Sequence, residues 1–509
     1  MGTWLGLIAL MGLLAPLLVY GLLPALGIEA PAKLLDVTLL FPLTALGIGA
    51  AVYSVYFKFI MQRPVWLAIY TLCIWVLVEW LAFFLMQAVH LNLHQRPLIV
   101  AAFCVPYGWL AWRHKYAILS KLPYVGIFLG FLAWIGLYFV FFNHNTQDVR
   151  MGLEGHSIVG SSIAVMKLSA YSFIAVAVCG TAALFLSQSS GQKTLSVFDR
   201  VNRWFLVSTA LYAIVAILGY PFGPKTQLFS TMLDGFLRAV GLYSHPNPFA
   251  HAEGMTLLYS TALYLYYSNR KSANPEVFDV DHPQAPSLKL LYISLALNLI
   301  AFLLGFSKTS FLAIGIAMLV MAGPQVLTRS QVIFWLKRAW IPVVLIPVAM
   351  FGYEVISGQS FADILEKRMA DTLSFIWRMQ SWQVLLNNIT LGSMWLGHGF
   401  TSANAKLLQL YFSSKAAAKP LIQVHNGYID LLYEFGLMGY LLFAAVGSLV
   451  WQALSLRSHN APLSYAVLGM AAYYLFVSAF DEMTYMFNAA MLFWVLSTVC
   501  VCVVVRSKA

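Results

Sequence analysis

One histidine stands where a base would be useful. His425 lies near the start of the stretch QVHNGYIDLLYEFGLMGY, which begins at Gln423. An imidazole at the mouth of an apolar segment can titrate near ambient pH and take the proton of a hydroxyl. The bland alternative is an interfacial histidine whose nitrogens are simply hydrogen-bonded. Two carboxylates follow, Asp430 and Glu434, at i, i+4 on one helix face. On a regular helix they lie about 140° and 180° around the axis from position 425, so neither is its natural orienting partner. Asp481 and Glu482, at the end of the next apolar segment, suit that role better, with Asn426 and Asn247 as further orienting or acceptor-binding groups. A second set is cationic: Arg368, Asp371, Phe375, Arg378 and Trp382 are spaced 3, 4, 3, 4 and form one helical stripe. Two arginines on such a stripe can grip a phosphate or pyrophosphate through bidentate hydrogen bonds. The alternative is a surface Arg368–Asp371 pair beside snorkelling side chains, each contributing little.

Three smaller signals complete the inventory. HPNPFAHAEGM, from His245, holds two histidines, Asn247 and Glu253, but a six-residue histidine spacing matches no standard metal site. FSKTSF places Lys308 in a short turn, as an anion contact or an ordinary flank. Asp279-Val280-Asp281 has the form of a metal-binding carboxylate pair, yet its loop is too short for a nucleotide-binding domain and reads as a solvated acidic turn.

The elements that must carry these residues are membrane helices. Of 509 residues, 61% are hydrophobic and only 10% charged; the mean hydropathy is +0.78. Soluble chains carry about 25% charged residues. This inventory excludes a disordered chain, a disulfide scaffold and a nucleic-acid binder with a basic domain. The five cysteines, Cys73, Cys104, Cys179, Cys500 and Cys502, all sit in apolar runs and behave as small hydrophobes. A helix needs roughly 20 apolar residues to span the bilayer. About fourteen segments qualify on that criterion, near 3–27, 36–60, 65–88, 97–113, 121–143, 159–187, 201–220, 249–267, 287–306, 309–324, 340–355, 426–455, 463–480 and 485–505. The first lacks a basic leader and a small-residue cleavage site, so it reads as a retained anchor.

Basic clusters recur on every second loop, from Lys58 and Arg63 through Arg270, Lys271 and Lys289 to Arg506 and Lys508. The net charge of +11 is therefore loop asymmetry, with both termini cytoplasmic. Among charges outside the His425 segment, Lys167 and Glu79 are well centred in their spans. The expected fold is all-α and GT-C-like: one transmembrane domain over 1–509 with a long outer loop, 356–424, folded as a helical cap against the membrane. Such a loop is uncommon unless functional or disordered, and its aromatic content argues against disorder.

In chain order, four motifs resemble the O-antigen ligase and Wzy polymerase superfamily of bacterial membrane glycosyltransferases. They are HPNPFA at His245, FSKTSF at Phe306, WRMQSW at Trp377 with GHGF at Gly397, and VHNGYIDLLYEFGLMG at Val424. The last is the most specific, and the likeness covers about 245–490. The resemblance implies a metal- and cofactor-independent, inverting transfer at the periplasmic face of the inner membrane. The donor is an oligosaccharide on undecaprenyl pyrophosphate, and the acceptor is a glycan or lipid-linked glycan. It makes His425 the base and Arg378 a pyrophosphate contact. Lys308 stands where the family usually has arginine, keeping the charge but losing the fork. Arg368 has no secure counterpart and rests on the stripe. About fourteen spans resemble a polymerase more than the twelve-span plan of ligases, so chain extension comes before transfer to lipid A-core. A lipid-linked sugar transporter is the rival from another class, and it calls for midplane charges and an inverted repeat. No nucleic-acid partner is implied.

Overall fold

The computed structural model describes residues 110–142, 159–222, 230–233, 236–241, 246–273, 284–326, 373–413, 424–481, 483–484 and 486–508, with a few isolated positions. The expected segments 3–27, 36–60 and 65–88, nearly all of 97–113 and 340–355, and Glu79, His245, Asp279, Asp281, Arg368, Asp371 and Glu482 lie outside this description.

Apolar runs bounded by polar breaks become helices. In chain order these are α1 (Lys115–Lys121), α2 (Pro123–Phe142), α3 (Val159–Leu186), α4 (Gly191–Gly219), α5 (Pro246–Ala273), α6 (Leu288–Gly305) and α7 (Lys308–Val326). Next come α8 (Leu373–Asn387), α9 (Leu391–Leu396), α10 (Ser402–Ser413), α11 (Gly427–Phe435), α12 (Leu441–Leu456), α13 (Ala461–Phe480) and α14 (Phe487–Lys508). Side-chain caps define several starts: Ser190 on α4, Ser287 on α6, Asn426 on α11 and Asn460 on α13 each accept a backbone N–H of the first turn. Among the described residues, five helices are long and apolar enough to span a membrane, or six if α1 and α2 form one span bent by 110°. A 3₁₀ turn at Gly436–Tyr440 joins α11 to α12 within one of the five.

Among the described residues, the fold departs from an all-α expectation at one place. Between α4 and α5, β1 (Ser230–Leu233) and β2 (Phe236–Ala239) pair as antiparallel strands, with Ser230 opposite Ala239. Asp234 and Gly235 lie between the strands, the residue pair that favours a tight turn. The hairpin is tied to the end of α4, because Tyr220 donates its hydroxyl to Leu237 O at 2.9 Å and accepts Ser230 Oγ on its own carbonyl at 2.7 Å.

The core is built around α14, whose apolar window is 83% buried and so runs through the interior. Trp494 on it stacks with Phe128 at 4.8 Å between ring centroids and meets Phe493, Tyr474 and Tyr124; the Tyr124 hydroxyl reaches Thr498 Oγ1 at 2.9 Å. Lipid tails are as apolar as these rings, so close packing rather than burial from water holds such helices together. Gly254 shows the consequence. A Cβ there would collide with the ring of Tyr473, so α5 and α13 approach as closely as they do only because position 254 has none.

Candidate active site

A helix end leaves its last carbonyls without partners, and at the end of α13 candidate residues take them up. Asn426 donates its side-chain amide to Ala479 O at 2.9 Å, and Arg378 Nη1 donates to Phe480 O at 2.7 Å. The next residue is Asp481. Asn426 also accepts the backbone N–H groups of Tyr428 and Ile429, both at 3.0 Å, so one side chain starts α11 and joins it to α13. From the other side, Trp382 Nε1 donates to Val424 O at 2.8 Å. Arg378 and Trp382, one turn apart on α8, thus hold the two chain segments that present Asp481 and His425. A small core of Leu385, Ala403, Leu407, Val424 and Tyr433 fastens α8 and α10 to α11.

Between these anchors His425 adopts φ = 50°, the left-handed region, which is costly for a residue with a Cβ. Its Nδ1 lies 3.3 Å from Asp481 Oδ1. The second carboxylate oxygen, Oδ2, faces His251 Nε2 at 3.2 Å and accepts from Asn247 Nδ2 at 3.1 Å. Burial alone would raise the Asp481 carboxyl. The hydrogen bonds and charge of His251 and His425 outweigh it and hold the group well below the ordinary carboxylate range. An ionised carboxylate only accepts, so the His425 nitrogen facing it must carry the proton. In the neutral ring Nε2 is then left with its lone pair. The His425 side chain is 16% exposed while Asp481 is 1% exposed, so an outside hydroxyl can reach the imidazole but not the carboxylate. An imidazole held in this way, with its tautomer fixed, can serve as a general base.

Five of the residues singled out in sequence are thereby brought together: His425, Asn426, Asp481, Asn247 and Arg378. Lys308 is half-buried at the first position of α7, two residues before Ser310, which touches the network through His251. Arg368 and Glu482 lie outside the described residues.

Sequence reasoning missed three members. Arg238 on β2 is buried, donates Nη2 to Asn247 Oδ1 at 2.9 Å and Nε to Gly305 O at 3.1 Å, and so joins the hairpin, the end of α6 and the carboxylate network. His251 and Ser310 are the others, the latter 2.8 Å from His251 Nδ1. A usable signal was present: Asn247 and His251 are four apart on α5, one helical turn, and therefore share a face.

Asp430 and Glu434 point elsewhere. Lys167 on α3 donates to Asp430 Oδ2 and to Glu434 Oε1, each at 2.9 Å, in a fully buried group. Behind it the Gly397-His398-Gly399 turn closes the end of α11. His398 N reaches Tyr433 O at 2.8 Å and Gly399 N reaches Glu434 O at 2.9 Å. Gly397 and Gly436 both have positive φ, and a Cβ on either would strike the opposing backbone.

Membrane-length helices define the class, an integral membrane protein, and here they surround a reachable imidazole held by a buried carboxylate. Residues 293–444 are similar to the O-antigen ligase family, whose model they match. The stretch runs from α6 into α12 and includes Ser310, Arg378 and His425, whereas Arg238, Asn247, His251 and Asp481 lie outside it. No curated protein matches the chain. The activity this family suggests is that of an O-antigen ligase or polymerase-type membrane glycosyltransferase.

Proposed function

We propose that the protein transfers an oligosaccharide from undecaprenyl pyrophosphate to a glycan acceptor at the periplasmic face of the bacterial inner membrane, without metal or cofactor. The observation that carries this reading is the 3.3 Å contact of Asp481 with His425 Nδ1, which puts the ring proton on Nδ1 and makes Nε2 the basic nitrogen. In the reaction, Nε2 takes the hydroxyl proton and the oxygen attacks the anomeric carbon. The bond from that carbon to the pyrophosphate oxygen breaks from the opposite face, and undecaprenyl pyrophosphate leaves with the electron pair. Such a leaving group needs cations more than an acid. Arg378 spends one of its five N–H donors on Phe480 O, which leaves the rest of the fork for an anion; Lys308, and Arg368 on the same stripe, are the further cations proposed.

Exposed apolar side chains on α8 and α9, including Ile376, Trp377, Met379 and Trp395, fit a cap resting on lipid. Chain extension of the polysaccharide is the leading reading of the acceptor. Transfer to lipid A-core is the second, favoured by the O-antigen ligase description of the matching family.

Purified protein in liposomes, given a synthetic undecaprenyl-pyrophosphate oligosaccharide and a chelator but no nucleotide, should yield a product longer than the input. Glycan appearing on added lipid A-core instead selects the ligase. No covalent product with either acceptor, with donor moved between leaflets, would overturn the enzyme reading. In the same assay Arg378→Ala should lower kcat/KM for the donor by about 10²-fold, and Arg378→Lys by roughly tenfold, since lysine keeps the charge without the fork. Equal rates for wild type and both variants would remove Arg378 from pyrophosphate binding.

A further inference from the structure

We propose that His251 is a positioning residue of this site: from the second oxygen of Asp481 it holds the carboxylate that faces His425 and tunes how readily that imidazole takes a proton. The inference rests on His425 acting as the base.

Two imidazoles share one carboxylate, and they differ in access. His251 is 0% exposed on α5, so it reaches neither substrate nor water, and its chemistry is confined to its two neighbours. Ser310 Oγ sits 2.8 Å from its Nδ1 and Asp481 Oδ2 3.2 Å from its Nε2. The ionised carboxylate requires a proton on Nε2, so Nδ1 holds a lone pair and the serine hydroxyl donates to it. Both ring nitrogens are satisfied in the neutral state, which is what a buried imidazole requires.

The consequence runs through charge. Asp481 receives donors from His425 on Oδ1 and from His251 and Asn247 on Oδ2. Each donor on Oδ2 draws negative charge away from the oxygen that faces His425. The other charged or titratable groups around the carboxylate are Arg238 on β2 acting through Asn247, Arg378 on α8 acting on the Phe480 carbonyl, and Tyr473 within α13; Lys308 begins α7 two residues before Ser310. All of them remain when position 251 alone is changed. Removing the His251 donor concentrates charge on Oδ1, stabilises an imidazolium at 425, and makes that ring lose its proton only at higher pH.

The test needs no substrate. Full-length protein with ¹⁵N-labelled histidine in detergent micelles reports each imidazole's titration, and the His425 signal is assigned by its loss in His425→Ala. His251→Phe, which removes the donor, should raise the proton affinity of His425 by about three- to tenfold, an upward shift of roughly half to one pH unit. His251→Gln, whose amide can still donate to Asp481 and accept from Ser310, should titrate close to wild type. Ser310→Ala, which removes the hydroxyl that holds the His251 ring from Nδ1 and so loosens its donation to Asp481, should move the signal in the same direction by less, and it serves if the phenylalanine variant fails to fold. An unmoved His425 titration in a folded His251→Phe or Ser310→Ala protein would overturn the proposal. So would His251→Gln moving as far as His251→Phe. Failure here leaves the base reading standing, because that reading is decided separately by transfer activity in His425 variants.

Discussion

His425→Ala should insert and fold yet form product at about 10²–10⁴-fold lower rate, the span a general base contributes. The backbone sharpens this expectation. At φ = 50° the native residue occupies a conformation that glycine adopts without cost. His425→Gly should therefore unfold at the same temperature as wild type or higher while being equally inactive. Loss of activity with retained or increased stability would mark position 425 as strained for the sake of chemistry. Wild-type rates of transfer from either variant, in purified and correctly inserted protein, would end the case for a base at this position.

The second large effect is expected at Asp481. A carboxylate accepts from His425, His251 and Asn247 together, whereas an asparagine offers one acceptor oxygen and a donating amide. Whichever way that amide sits, one group faces a donor where it needs an acceptor, and the His425 tautomer is no longer specified. Asp481→Asn should lower kcat by on the order of 10³–10⁴, the scale seen when the carboxylate orienting a catalytic histidine becomes an amide. A fall of less than tenfold would show that the carboxylate does not orient the base.

There is also a pH signature. The Asp481 carboxyl is held below its ordinary range in the folded protein, so its contribution to stability is fully present above the unfolded value of about 3.9. It is lost as pH falls through the lower folded value. Wild type should thus keep this contribution through neutral and mildly acidic pH and lose it only below about pH 4, while Asp481→Asn lacks that acid-sensitive step.

Much of this arrangement was legible in the chain because it is local. The run from 249 to 267 reads as a helix and sits inside α5 (Pro246–Ala273); the run from 463 to 480 sits inside α13 (Ala461–Phe480). Helical angles alone steered attention from Asp430 and Glu434 to Asp481. The 378/382 spacing put Arg378 and Trp382 on one face, and both meet the junction beside His425. What escaped is long-range. Arg238 sits in a short hairpin with no helical period to expose it. His251 was weighed against His245 at a metal-site spacing, when its relevant neighbour was Asn247, one turn away. Ser310 is an ordinary hydroxyl until α7 brings it against α5. Such pairings depend on which helices adjoin, and hydropathy does not carry that information.

The Lys167 cluster also governs how the protein can be made. Lys167 is separated from Asp430 by 263 positions and from Glu434 by 267. At translation speeds of about 5–20 residues per second, Lys167 leaves the ribosome on the order of 10 to 50 s before either counterion exists. During that interval its ammonium has no counterion from this cluster and, in hydrocarbon, would be expensive to hold. The nascent helix must therefore wait in the shelter of the insertion machinery or ride high in the bilayer with the ammonium in the headgroups. It can settle to its final depth only when the C-terminal third of the chain arrives.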